Sequence, residues 1–419
     1  MCYAGVVAND ADPRGEHVKY TDLATEAASY LEVVQSVRRD LHQIPEFGLQ
    51  LPKTLERVLA SISGLGEIHL GKSITSAVLH IKGGQPGPTV LLRFDMDALA
   101  VVEETGLPFA STNGYMHACG HDLHMAIGIG AAHLLATHSA DLKGDVILFF
   151  QPGEEGHNGA GVMIDEGSHL VSGSKPIAAF GLHVFSAYIP NGVFLTRPGA
   201  MMASSGDMIV KFKGSAGHGS SPWMAKDPVS AMAEAMSALQ TMVAKRFNVF
   251  DPVVVNVGWV KAGDTHTTNV IPETASFGAT LRTFSKENET KLREYAASLM
   301  HDIARGFGVE AEVEFSPYSP VVYNDPEAVK RVERVVKETL GDHRYAPLPT
   351  PMTGGEDFSV ILNEIPGSFI FLGAGPKDGN YETAPVNHSN RAVFDDSVIP
   401  DACAVMASLV FDTLDEAAR

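Results

Sequence analysis

Two short apolar runs set what this chain can fold into. TVLLRF at 89–94 and DVILFF at 145–150 lack the polar alternation of a strand with one wet face. Each suits a strand buried on both faces, the kind found where helices cover a largely parallel sheet. Between them, Leu123 to Ala136 reads as a buried helix, and from Thr25 to Ile44 apolar residues recur at helical spacing (Ala28, Leu31, Val34, Val37, Leu41) until Pro45 ends the run. Strands alternating with helices place the chain in the α/β class. The first 20 residues are polar and read as loose, and GGQPG at 83–87 reads as a hairpin turn. That turn lacks the Lys-Ser/Thr and following helix of a phosphate loop.

At 419 residues the chain exceeds the ~250–300 at which one hydrophobic core stops growing, so two domains are expected. Small and turn-forming residues cluster at 197–207 (RPGAMMASSGD) and again at 316–320 (SPYSP). Between these breaks the pattern predicts a strand at 208–213, a helix opened by Asp227-Pro228 and running to Arg246, strands at 253–260 and 274–282, a helix near 286–306 and a strand at 309–315. The order β-α-β-β-α-β is that of a ferredoxin-like module. Residues 201–316 would then be an inserted domain, and residues 1–200 and 317–419 the two parts of a discontinuous α/β domain, with a cleft between them.

Charge and cysteine usage narrow the function. A net charge of −19 repels nucleic acid and anionic membrane surfaces, so neither is an expected partner. No uninterrupted apolar run reaches the ~18 residues of a membrane helix. Cys2, Cys119 and Cys403 are odd in number and far apart, which points to a reducing, cytoplasmic setting. The opening MCYAGVVANDADPRGEH turns polar after about seven residues and carries no basic leader, so no signal peptide is expected.

In open α/β sheets ligands sit beyond the carboxyl ends of the strands. TVLLRF is followed by Asp95 and Asp97, DVILFF by Gln151-Pro152-Gly153-Glu154-Glu155, and the strand at IAAFGL by His183. FIFLGAG leads to a loop with His388, and HACGHDLHM at 117–125 packs three histidines, an aspartate and Cys119 into nine residues. Separate loops thus bring sulfur, nitrogen and oxygen donors to one edge. A thiolate and neutral imidazoles favour Zn²⁺, carboxylates extend the choice toward Mn²⁺, and a thiolate has lone pairs enough to bridge two ions. Two ions would polarise an amide carbonyl and lower the pKa of a water to around 7. Consecutive side chains diverge in an extended segment, so one carboxylate of Glu154-Glu155 can hold metal while its neighbour serves as general acid/base. The pattern alone leaves open which does which.

Taken singly, each feature has a bland reading. A buried cysteine is usually inert packing, a Glu-Glu pair usually solvated surface, and Asp95 and Asp97 ordinary strand-end turn formers. His133 and His138 read as partly exposed side chains rather than ligands. In TGGEDFS, Asp357 is either the cap of a following helix or the neighbour of a supporting Glu356.

As an ordered set, however, these residues resemble a family. RRDLHQIPEFG (38–48), RFDMDAL (93–99), HACGHDLHMA (117–126), FFQPGEEG (149–156), GLHV (181–184), GSAGHGS (214–220), TNVIPE (268–273), ATLRTF (279–284), GGEDFS (354–359) and NHS (387–389) run through nearly the whole chain after residue 30. They are similar to the metal-dependent amidohydrolases that include hippurate hydrolase, indole-acetyl-amino-acid hydrolases and bacterial N-acyl-amino-acid aminoacylases. The resemblance implies two divalent ions per chain (Zn or Mn) on Cys119, His121, Glu155, His183 and His388, with Cys119 bridging, and it makes Glu154 the general base. It implies that Asp97 orients the site, that His218 and Asn269 polarise the scissile carbonyl or hold substrate, and that Arg282 meets the substrate carboxylate. It also implies a homodimer through the inserted lid domain, with His218 able to act across the subunit interface. The chain departs from the family where Gly153 replaces the alanine of PAEE and Asn390 the proline of HSP, and Leu123, Met125 and Trp223 are candidates to reshape the pocket. The expected reaction is hydrolysis of an N-acyl amino acid into a carboxylic acid and an amino acid. A dipeptidase with the same metal site and a metal-dependent sensor or scaffold are the rival readings.

Overall fold

The computed structural model describes residues 20–316 and 319–419. Cys2 and residues 1–19 of the segment read as loose lie outside the described residues. Tyr20, the last residue of that segment, instead opens a helix and donates its hydroxyl to Asp412 Oδ1 at 3.0 Å.

Both apolar runs become fully paired strands of one eight-stranded sheet. Its order is Glu67–Leu70, Ala77–Ile81, Asp145–Gln151, Thr89–Asp95, Ala178–Phe185, Gly367–Gly373, Phe194–Thr196, Tyr345–Pro347. The four central strands are parallel, and the two at the Glu67 edge are antiparallel. Alternate residues of Thr89–Asp95 face opposite cores. Val90, Leu92 and Phe94 pack with the helices His121–Thr137 and Ile399–Ala417, while Leu91 joins Met163 and Phe358 on the other side. Double-sided burial is why the run reads as continuously apolar. Thr89–Asp95 is followed in the chain by a neighbour on one side and then by Ala178–Phe185 on the other, which makes a topological switch point at their carboxyl ends.

Helix Ile399–Ala417 has the length and hydropathy to cross a membrane, yet 78% of its apolar window is buried inside the protein, as in a core helix. The single helix expected from Thr25 to Ile44 is two, Tyr20–Ser29 and Leu31–His42. At the break the Tyr30 N–H donates to Ala27, three residues back, so the turn tightens there.

GGQPG is not a hairpin. The strands it joins, Ala77–Ile81 and Thr89–Asp95, do not pair with each other; Asp145–Gln151 lies between them. The loop instead crosses the backbone leading into that middle strand. A Cβ on Gly83, Gly84 or Gly87 would stand 2.0–2.2 Å from the carbonyl oxygens of Gly144, Ala140 and Lys143. The glycines serve close approach rather than a tight reversal.

A second sheet has the order Val253–Ala262, Thr274–Thr283, Gly206–Lys213, Glu310–Phe315, antiparallel throughout. Helices Pro228–Arg246 and Lys286–Gly306 pack on it around a separate core that includes Phe212, Phe277 and Leu239. Asp227 caps the first helix by accepting from Val229 N–H, and Ser285 caps the second by accepting from Asn288 N–H. The chain passes between the sheets at Ser205 and Ser319, whose backbones bond each other at 2.9 Å in both directions.

The crossing loop yields a test. Gly84→Ala forces a Cβ against a carbonyl that cannot rotate away, so urea unfolding should show a loss of about 1–3 kcal/mol, the usual cost of overpacking. Gly306→Ala, with nothing within 4 Å of the new Cβ, should be neutral or up to about 1 kcal/mol stabilising. Equal effects at the two positions would refute the close-approach account.

Candidate metal centre

The HACGHDLHM segment is a loop running into the helix His121–Thr137. Gly120, just before the helix, has φ +88°, and a Cβ there would stand 2.5 Å from the Val184 side chain. Only glycine lets the backbone turn so that Cys119 and His121 face the same space. Behind the loop, Asp122 is clamped in the interior. Arg38 Nε lies 2.7 Å from its Oδ2 and His42 Nδ1 2.8 Å from the same oxygen. Burial alone would lower the pKa of His42, but the Asp122 charge and hydrogen bonds with Asp122 and Glu103 raise it to about 9, so the clamp is cationic at neutral pH.

Five of the expected ligands converge. His183 Nε2 is 3.2 Å from Cys119 Sγ, and His388 Nε2 is 3.3 Å from the same sulfur and 3.2 Å from Glu155 Oε1. Donor atoms of Cys119, His121 and His183 lie within 4.8 Å of one another, as do those of Cys119, Glu155 and His388. Two donor groups therefore meet at one sulfur. His388 is held in the left-handed region at φ +71°, unusual for a residue with a side chain, and its N–H donates to Ala118 O at 2.9 Å. Asn387 bridges the same loops, donating to Val184 O at 2.9 Å and Cys119 O at 3.2 Å.

The surroundings fit cations. His121 Nδ1–H donates to Asp97 O at 2.8 Å, which leaves its Nε2 as the lone-pair nitrogen; that atom is buried and has no hydrogen-bond partner. Burial pushes the Cys119 thiol up, and the Glu155 charge adds to the shift. Burial likewise raises Glu154 well above the usual carboxyl range, reinforced by Glu356, Glu155 and Asp357. Such a surplus of buried acid calls for nearby positive charge.

Each carboxylate has a distinct place. Asp97 accepts the backbone N–H of Glu154 and of Glu155, each at 3.0 Å, and so sets the direction of both glutamates. Glu155 reaches His388, whereas Glu154 Oε2 lies 4.0 Å from His121 Nε2. Asp95 accepts from His124 Nδ1–H, and His124 Nε2 accepts from Val184 N–H at 2.8 Å. Both nitrogens of His124 are thus engaged, and this third histidine of the segment has no lone pair to offer an ion.

Sequence reasoning missed Arg93. Fully buried, it donates to Gln151 Oε1 (2.9 Å), Glu356 Oε1 (2.9 Å) and Asp357 Oδ1 (2.8 Å), and pairs with Asp95. The signal was available, since an arginine inside an apolar strand needs carboxylate partners. Asp357 does not cap helix Phe358–Glu364 with its side chain; its carboxylate accepts from Arg93, Gln151 and Ala160 N–H. Glu356 supplies the local bond, accepting from Phe358 N–H at 2.9 Å.

The centre opens into a cavity of about 560 Å³ lined by Cys119, Glu154, Glu155, His183 and His388, and also by Phe185, Met202, Met352, Val386, Ser205, Ser319 and Arg282. Arg282 comes from the second sheet, where Nη1 donates to Thr280 Oγ1 (2.7 Å) and Leu281 O (2.8 Å). His218 and Asn269 are not among the lining residues. Both are exposed, on or beside the two-stranded ribbon of Gly217–His218 with Val270–Ile271. Leu123 and Met125 do not reshape the pocket either. They are wholly buried, because the helix His121–Thr137 is enclosed on almost every side and turns them into the core, and Trp223 is 78% exposed. His133 and His138 bond Ser61 O and Glu26, away from the centre.

Comparison with known proteins agrees with this geometry. Residues 91–412 match the model of peptidase family M20/M25/M40. The chain is similar to an N-acetyldiaminopimelate deacetylase of Listeria welshimeri, 37% identical over 85% of this chain and 95% of that protein. It is also similar to an N-acetylcysteine deacetylase of Bacillus subtilis, 35% identical over 81% and 87%. Among solved structures, a dinuclear metal-binding peptidase of the M20 family from Bacillus subtilis superimposes with TM-score 0.77 at 31% identity, covering 92% of this chain and 99% of that one. With the ordered motifs, the paired donor groups and these matches in agreement, this chain belongs to peptidase family M20/M25/M40.

Proposed function

We propose that the chain hydrolyses the amide bond of N-acyl amino acids, releasing a carboxylic acid and a free amino acid, with two divalent ions per chain as cofactors. The observation that carries this reading is one sulfur, Cys119, shared by His121 and His183 on one side and by Glu155 and His388 on the other, with Glu154 in the same cavity. Relatives named as deacetylases of N-acetyldiaminopimelate and N-acetylcysteine support the substrate class. The thiolate and imidazoles favour Zn²⁺, and the carboxylates leave Mn²⁺ open.

When bound, the ions act as Lewis acids toward the amide carbonyl and make a water easier to deprotonate. Glu154 takes a proton from the attacking water and delivers it to the leaving amine nitrogen. Asp97 keeps Glu154 and Glu155 aimed in their separate directions through the two N–H bonds. Arg282 binds the amino-acid carboxylate, supplying the local cation that an acidic protein needs to hold an anionic substrate. Phe185, Met202, Met352 and Val386 take the acyl group.

We read the second sheet and its helices, residues 201–316, as an inserted ferredoxin-like lid and dimerisation domain, with residues 1–200 and 317–419 as the catalytic domain. The separate core and the β-α-β-β-α-β order support this reading. The exposure of His218 and Asn269 outside the cavity of their own chain supports assigning them to the partner's cavity in a homodimer. The cytoplasm is the proposed location, in keeping with the unpaired Cys119 and Cys403.

Three measurements test these assignments. A panel of N-acetyl, N-benzoyl, indole-acetyl and long-chain acyl amino acids plus dipeptides, assayed for released amino acid before and after chelation and metal restoration, should show metal-restorable cleavage of acyl amino acids. Cleavage confined to dipeptides, or none by fully metallated protein, would overturn the reading. Glu154→Gln should retain its ions and lose at least ~10²-fold in turnover; near-normal turnover would remove Glu154 from its role. Finally, metal uptake should release protons. In the chelated protein, hydrogen bonds with Cys119 and Glu155 raise His388 to about 10, so below that pH an ion must displace its proton. Apparent affinity should therefore rise with pH, and calorimetry in buffers of different ionisation enthalpy should report the released protons. A pH-independent affinity would contradict the ligand assignment.

A further inference from the structure

The antiparallel edge of the large sheet holds a second kind of donor cluster. Glu67 lies directly across the ladder from His80, and His69 is two residues beyond Glu67 on the same strand. Side chains two apart on a strand share a face, as do directly opposed pairs, so all three project from one side of the sheet. One donor atom from each lies within 4.8 Å of the others. Tetrahedral coordination at bonds of about 2.0–2.1 Å separates ligand atoms by about 3.4 Å, so modest side-chain rotation closes the triangle.

Two further observations point to an ion. His69 Nε2, 3.5 Å from Glu67 Oε1, is shielded from solvent and has no hydrogen-bond partner. His80 Nε2 lies 2.7 Å from Asp145 Oδ2, and Asp145 is itself fixed by accepting from Gly83 N–H at 3.1 Å. With Nε2 held by a carboxylate, His80 would ligate through Nδ1, and a carboxylate on the far nitrogen is a usual means by which proteins orient an imidazole toward a metal. Among the described residues the cation paired with Glu67 is Lys82, whose Nζ is 3.6 Å from Glu67 Oε2 and whose side chain is 70% exposed, able to swing away.

We propose that Glu67, His69 and His80 form a transition-metal site, separate from the Cys119 centre and suited to a borderline ion such as Zn²⁺, with solvent completing the coordination. Two imidazoles and a carboxylate match that ion better than Mg²⁺ or Ca²⁺, which take oxygen donors. The site is remote from the chemistry. His80 is in register with Ile147, near the amino end of Asp145–Gln151, whereas Glu154 and Glu155 follow its carboxyl end. An ion here would staple the edge strand Glu67–Leu70 to its neighbour.

The test titrates fully metallated holoprotein with Zn²⁺, by calorimetry and by competition with a chromogenic chelator. The wild type should bind one ion per chain more than His69→Ala, or bind it at least ~10-fold more tightly, whatever the stoichiometry at Cys119. Glu67→Gln, at an exposed position, should weaken the same ion, while amide hydrolysis by both variants stays at the wild-type rate. Identical Zn²⁺ isotherms for wild type and His69→Ala would overturn the proposal and leave the cluster an ordinary ion-pair group around Lys82.

Discussion

A guanidinium sealed from water has to be surrounded by acceptors, and at Arg93 that requirement organises the carboxyl ends of the central strands. Its donors go to Gln151 on the neighbouring strand and to Glu356 and Asp357 from a loop more than 200 residues away, while Asp95 pairs with it from two residues on. Asp95 in turn orients His124, which accepts the Val184 N–H next to His183. Asp357 reaches on to Ala160. One cation thus ties together the strand end before Glu154 and, through Asp95 and His124, the segment next to His183. Because the acids there outnumber it, burial and mutual repulsion raise Glu154, Glu356 and Asp357 above the usual carboxyl range, and nearby positive ions would favour their charged forms.

The cavity has two chemical halves. Donor atoms and carboxylates stand where the parallel strands end, and Phe185, Met202, Met352 and Val386 supply apolar surface. Arg282, Ser205 and Ser319 come from the second sheet or from the two points where the chain passes between sheets. The lining is therefore shared between the large sheet's loops and the second sheet. Leu123 and Met125, candidates to reshape the pocket, sit in the core instead of the cavity and bear on packing.

What could be read from the sequence followed from locality. Double-sided burial leaves a continuous apolar run, so the central strands were visible, and the donor loops could be found by looking just past them. Strand order depends on pairings between distant segments, which is why GGQPG passed for a hairpin when Asp145–Gln151 lies between the strands it joins. Arg93 drew no reading because its partners are remote in sequence, and of the two readings left open at TGGEDFS the cap was the local one, since capping is the local use of an aspartate before a helix. The break at Tyr30 leaves the apolar spacing intact and so was invisible to periodicity.

The two donor groups that share Cys119 differ in what the chain must do to assemble them. His183 joins the sulfur from 64 residues away and His388 from 269. Loop-closure entropy, growing as (3/2)RT ln n, makes the longer closure costlier by about 1.3 kcal/mol. The shorter one needs only neighbouring strands of the sheet, whereas the longer waits for Gly367–Gly373 to dock beside Ala178–Phe185 and carry the following loop across. The two halves of the centre thus differ in closure cost, a difference written in chain topology rather than in the donors themselves.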